Sequence, residues 1–190
     1  MLLRTLSSAA CAMLLATCLH ADAQAGAGSM GGMQMPQDGK KMPSPPSTAT
    51  VNFAGQTVTI HYNSPSVRHR EIFGGLVPYN QVWRTGANPA TTMTTPVSLH
   101  IGNLLVPAGT YTIYSLPTKD RWMLIINKQT GQWGTDYSKE QDLGRVEIKS
   151  KTLPGTQEVM SISFEDNKKD SAELHIRWAN LDESVKITTP

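Results

Sequence analysis

From Thr50 onward the chain alternates apolar and polar residues over short runs broken by turn residues. Val51 and Phe53 alternate with polar neighbours, and Ala54-Gly55 turns the chain. Val58, Ile60 and Tyr62 fall on one face of the next run, with Thr57, Thr59 and His61 on the other. Val97, Leu99 and Ile101 share a face opposite Ser98 and His100. Gly102-Asn103 is a two-residue hairpin signal leading into Leu104-Leu105-Val106, and Pro107-Ala108-Gly109 turns the chain again. Thr110 to Leu116 reads as a strand, and Trp122 to Asn127 is nearly continuous apolar sequence, as in a strand buried on both faces. Further strands are expected over 145–149, 159–165, 172–178 and 184–187. No segment keeps a helical period over ten residues or more, though Tyr137 to Gln141 allows one helical turn. About eight to ten short strands with frequent turns predict an all-β fold, an antiparallel β-sandwich or jelly-roll in a single domain over 50–190.

Upstream the pattern changes twice. An apolar run from Leu6 to Leu19 follows Arg4, and Ala21-Asp22-Ala23 fits a small-x-small cleavage site. Residues 1–23 are therefore expected to be a secretory signal peptide, with Gln24 as the mature N-terminus and a periplasmic or extracellular destination. The run is too short for a transmembrane segment of ~20 residues. Leu15-Ala16-Thr17-Cys18 resembles a lipobox, but Thr17 replaces the Gly, Ala or Ser expected before a lipidated Cys, which argues against a lipid anchor at Cys18. Residues 24–49 are rich in Gly, Ser, Pro, Gln and Met and poor in branched apolar residues, so they read as a disordered linker. Met30, Met33 and Met35, with Met42 further on, offer soft thioethers, which makes a copper-buffering tail one alternative function.

The formal net charge of +2 and a charged fraction of 17% give no footprint for nucleic acid. Both cysteines, Cys11 and Cys18, lie in the first twenty positions, so the β-domain has neither a disulfide nor a Cys-based metal site. The sequence leaves any cofactor unknown.

The stretch Ser64 to Thr92 fits neither strand nor helix periodicity, yet it concentrates aromatic, cationic, Gly and Pro residues. Trp83, Arg84, Thr85, Asn88 and Thr91 combine an aromatic face, a forked cation and short hydrogen-bonding side chains. Arg70 and Tyr79 lie nearby in sequence, and Trp133 and Tyr137 offer a second aromatic wall. This set predicts a binding site for a small anionic or sugar-like ligand, with Arg84 clamping a carboxylate or phosphate. The structural alternative is that Arg84 ties the loop down through backbone carbonyls, Trp83 plugs the core and Asn88 caps a turn. A hydrolytic or metal-assisted enzyme would instead use Glu71 and histidines near this loop, with His61, His100 and His175 on one polar sheet face. No Gly-x-Ser-x-Gly elbow, His-x-His or His-Glu-x-x-His spacing supports catalysis, so binding is expected ahead of it.

The runs SPSVRHREIFGGLVPYNQVWRTGANPATT and LLVPAGTYTIYSLP, then Trp122 to Asn127 and Gln132-Trp133-Gly134, resemble a secreted bacterial family known only as domain of unknown function 2911. The resemblance spans roughly Val51 to Ile187 and implies a secreted β-rich domain without an assigned activity. In the family's signature a Gly is usual where this chain has Asn80, and often where it has His69. Asn tolerates the left-handed conformation, so the turn at Asn80 is expected to be kept.

Overall fold

The computed structural model describes residues 44–190. The expected signal peptide over 1–23, the expected linker over 24–43, Cys18, and Met30, Met33, Met35 and Met42 lie outside the described residues. Nine strands follow in chain order: β1 (Pro46–Phe53), β2 (Gln56–Asn63), β3 (Thr91–Thr95), β4 (Leu99–Ile101), β5 (Leu104–Val106), β6 (Gly109–Pro117), β7 (Trp122–Asn127), β8 (Asp142–Glu165) and β9 (Ser171–Thr188). One turn of 3-10 helix, Lys139–Gln141, precedes β8, within the span where a helical turn was expected. The all-β antiparallel expectation holds.

The strands form one sheet in the order β1-β2-β3-β6-β7-β8-β9-β4-β5, and it is not closed into a barrel. The sheet folds over on itself, so strands far apart in this order share one core. Val58 and Ile60 of β2 join Leu174 and Ile176 of β9 and Leu99 and Ile101 of β4 in a single buried cluster. Tyr62 on β2 bonds across the fold: its hydroxyl donates to the Ile162 carbonyl at 3.4 Å and accepts from the Ile162 N–H at 3.0 Å.

Two sequence expectations are corrected. Residues 46–49, assigned to the linker, belong to β1 and pair with Asn63 to Ile60. Pro46 misleads because proline usually ends a strand, yet it is tolerated as the first residue of an edge strand. The four late strands are two long ones. Pro154 and Gly155 punctuate β8 like a turn, but the pairing shifts register there and resumes: residues 153–156 lie opposite Asn180 alone. A straight strand of the length of β8 would run about 80 Å; these bulges let it bend around the core.

A second shift, between Gln157 and Ser161, frees β8 backbone to hold the start of the irregular stretch. Val67 N–H donates to the Glu158 carbonyl at 2.8 Å, and Met160 N–H to the Pro65 carbonyl at 2.9 Å. Asn80 has φ 62°, as its family position implied, and His69 has φ 57°, a conformation glycine adopts without strain.

Buried charge is concentrated on β9. Glu183 is 2% exposed; its Oε1 accepts from Ser150 Oγ at 2.6 Å, while Oε2 is buried with no hydrogen-bond partner among the described residues. Burial pushes its carboxyl up to about 7, against the opposing effect of the Ser150 bond and with a smaller push from Asp182. The folded chain therefore binds this proton more tightly than the unfolded one, whose Glu titrates near ~4.3. The resulting stability is full below that value and is lost as pH rises towards about 7. Glu183→Gln is expected to remove this slope and to stabilise the domain at pH 8 by on the order of 2 kcal/mol, read from urea unfolding at pH 5 and pH 8. An unchanged slope would show that Glu183 ionises freely in the fold. Glu165 acts in the opposite sense: its bonds to Arg177 hold it down to about 2, so that stability is lost only in acid.

An arginine without a counter-charge between two cavities

The irregular stretch pairs along the edge of β6 beyond the end of β3, and the loop after β7 covers the outer face, so Tyr114 and Ser115 are both buried although they point to opposite faces. Trp83 and Ser115 exchange both backbone hydrogen bonds at 2.8 Å, and Asn80 N–H donates to the Pro117 carbonyl at 2.7 Å. Thr85 has φ 51°, rare for a β-branched residue, and is fully buried. Its hydroxyl bonds Ser115 Oγ at 2.8 Å, and Thr91 Oγ1 donates to its carbonyl at 2.9 Å. These contacts hold a strained backbone one residue after Arg84.

Trp83 stacks on Trp178 at 5.7 Å between ring centroids, and Phe73 packs edge-on to Trp122 at 4.9 Å, so the aromatic part of the stretch is core. Arg84 behaves differently. Its Nε is buried without a partner, and its guanidinium has no hydrogen bond or ion pair among the described residues. Burial holds its pKa below the usual value, with no carboxylate to offset the loss of hydration. Gly134 makes room for it: a Cβ there would lie 2.2 Å from Arg84 Cδ and 2.8 Å from the Asn88 carbonyl.

Two cavities of about 240 Å³ each meet at this arginine, sharing Leu76, Val77, Trp83 and Arg84 in their walls. The first also has Gln81, Tyr114, Thr135 and Tyr137; the second has Arg70, Asn88 and Trp178. Tyr114 and Tyr137 meet edge to face at 5.0 Å. The Tyr137 hydroxyl donates to Asp142 at 2.7 Å and accepts from Arg145 at 2.7 Å; burial, then the Asp142 contact, pushes its pKa up to about 12. Both phenols stay neutral at ordinary pH.

Of the residues singled out in the sequence, the structure gathers Trp83, Arg84 and Tyr137 on the first cavity and Arg70, Trp83, Arg84 and Asn88 on the second. Thr85 and Thr91 line neither, because their hydroxyls hold the loop backbone. Tyr79 packs beside Gly74, and Trp133, half exposed, bridges to Pro89 outside both cavity walls. Backbone tethering falls to Arg70, which donates to the Val67 and Ser66 carbonyls at 3.0 and 2.7 Å, and Asn88 donates to the Ser44 carbonyl at 3.2 Å. Gln81, Tyr114 and Thr135 were missed. Of the missed positions, only Tyr114 carried a signal, a large polar aromatic on the second face of a strand that is covered on both.

His61, His100 and His175 are on β2, β4 and β9 and do not converge; among the described residues no three His, Cys, Asp or Glu side chains form a metal-binding group. His175 instead sits in an ion-pair cluster with Asp182 at 2.8 Å, Arg177 and Glu165, and lines neither Arg84 cavity.

Arg84→Met is expected to leave the unliganded domain as stable as wild type or more stable, by up to about 1 kcal/mol, because the cation it removes has nothing to hold. Urea unfolding tests this; a clear loss of stability would mean that the guanidinium tethers the loop.

Fold and cavity together define an all-β domain that presents an uncompensated arginine. The chain belongs to the family described as "Protein of unknown function (DUF2911)", which it matches over residues 44–187. No curated protein and no solved structure was found to match it.

Proposed function

We propose that this chain is an exported binding module that holds a small anionic ligand on Arg84. One observation carries the reading: a half-buried guanidinium with no partner among the described residues borders two open cavities, and an anion would offset its desolvation. Such a group reduces the stability of the empty domain, a pattern common where a binding site is kept ready for its ligand. Export rests on the apolar run and the cleavage pattern of residues 1–23.

Thermal unfolding of the protein against a panel of carboxylates, phosphates and sulfates tests the binding. A ligand at ~100 times its dissociation constant adds about 2.7 kcal/mol, several degrees for a domain of this size. The shift should vanish in Arg84→Ala while that variant still unfolds cooperatively. A panel without effect on the folded wild type, or shifts that persist in Arg84→Ala, would contradict the reading.

A further inference from the structure

We infer that the ligand of the first cavity is a monocarboxylate bearing hydroxyl groups, the chemistry of a sugar acid; this rests on reading Arg84 as the anion-binding group. Charge decides the first half. Among the described residues, Arg84 is the only charged side chain in that cavity's wall, and the Tyr114 and Tyr137 phenols beside it are neutral. A carboxylate matches one guanidinium in charge and in its two-pronged geometry. A phosphate dianion would bring a second negative charge with no cation in the wall to meet it. Asp136, whose charge is already felt at Tyr114, would repel it. The second cavity differs, because Arg70 adds a second guanidinium to its wall.

Hydrogen-bonding capacity decides the second half. The Gln81 and Thr135 side chains make no hydrogen bond among the described residues, so an amide and a hydroxyl are left to a ligand. The tyrosine hydroxyls are committed: Tyr137 to Asp142 and Arg145, Tyr114 as acceptor from Gln132 at 3.0 Å. These rings therefore offer their carbon faces, with Leu76, 48% exposed, at the rim. Apolar walls with a few free polar groups suit the mixed faces of a hydroxylated ring. A cavity of about 240 Å³ lies below the ~300–1,000 Å³ of drug-sized sites, which favours a single-ring molecule.

Three probes share one ring and differ in one group: glucuronate, glucose and glucose 6-phosphate. Galacturonate and gluconate widen the carboxylate arm. Titration calorimetry on the full chain at matched ionic strength should show at least one carboxylate binding about tenfold or more tighter than glucose and glucose 6-phosphate, a gap of ~1.4 kcal/mol. Arg84→Gln should abolish that binding, and Gln81→Ala with Thr135→Val should weaken it without lowering the melting temperature of the empty protein. Glucose 6-phosphate binding through Arg84 as tightly as the carboxylates would overturn the ligand class and leave the anion-binding reading standing. Silence from all three carboxylates, with phosphate or sulfate acting through Arg84, would do the same. Silence from every anion, in a folded wild type, would overturn both.

Discussion

Trp178→Ala is expected to lower the unfolding free energy by about 3–5 kcal/mol. Trp178 on β9 is 2% exposed, stacks on Trp83 at 5.7 Å, and receives Phe73 edge-on at 6.1 Å. It is the sheet's half of the contact that anchors the irregular stretch, so truncation leaves a cavity beneath Trp83 as well as losing the buried indole area. Natural domains are stable by only about 5–15 kcal/mol, so the variant should unfold at much lower urea. Trp133→Ala is the control: Trp133 is 50% exposed, and its loss should cost about 1 kcal/mol or less. Urea unfolding followed by circular dichroism reads both. Equal losses would mean that the stretch is not anchored through Trp178.

Gly134→Ala is expected to destabilise by about 1–3 kcal/mol and to remove the ligand response together with it. The added methyl would meet Arg84 Cδ at 2.2 Å and the Asn88 carbonyl at 2.8 Å, so the arginine must swing away and the loop backbone must give. The paired Arg84→Met separates the two effects. It should also abolish binding, yet leave the empty domain at least as stable as wild type. Gly134→Ala with unchanged anion binding would show that Arg84 is not fixed by its seat on Gly134.

The strands were legible because one buried face imposes a period of two, as in Val58, Ile60 and Tyr62, all buried on β2. The continuity of β8 was not, since Pro154 and Gly155 carry the same turn chemistry whether a strand ends or merely bulges. For the same kind of reason the start of β1 at Pro46 has the sequence character of a linker. Within the candidate site, Arg84 stood out as a cation beside Trp83 in a stretch dense with Gly and Pro. Which arginine holds the loop and which is left without a partner depends on where Val67 and Ser66 present their carbonyls, and only the folded chain fixes that. The hydroxyls of Thr85 and Thr91 looked like ligand donors, but the turn directs them onto Ser115 and backbone instead. Tyr114 was missed because its side of β6 becomes a cavity wall only when the loop after β7 returns over it.

The most direct test of the central claim is the nitrogen-15 resonance of the Arg84 side chain, assigned by its loss in Arg84→Gln, during titration with a carboxylate. An uncompensated guanidinium predicts that the Nε–H signal of the free protein moves as the anion binds and saturates with the same affinity that calorimetry gives. A signal that stays fixed while the protein remains folded and the carboxylate is in excess would contradict the claim that Arg84 holds the anion.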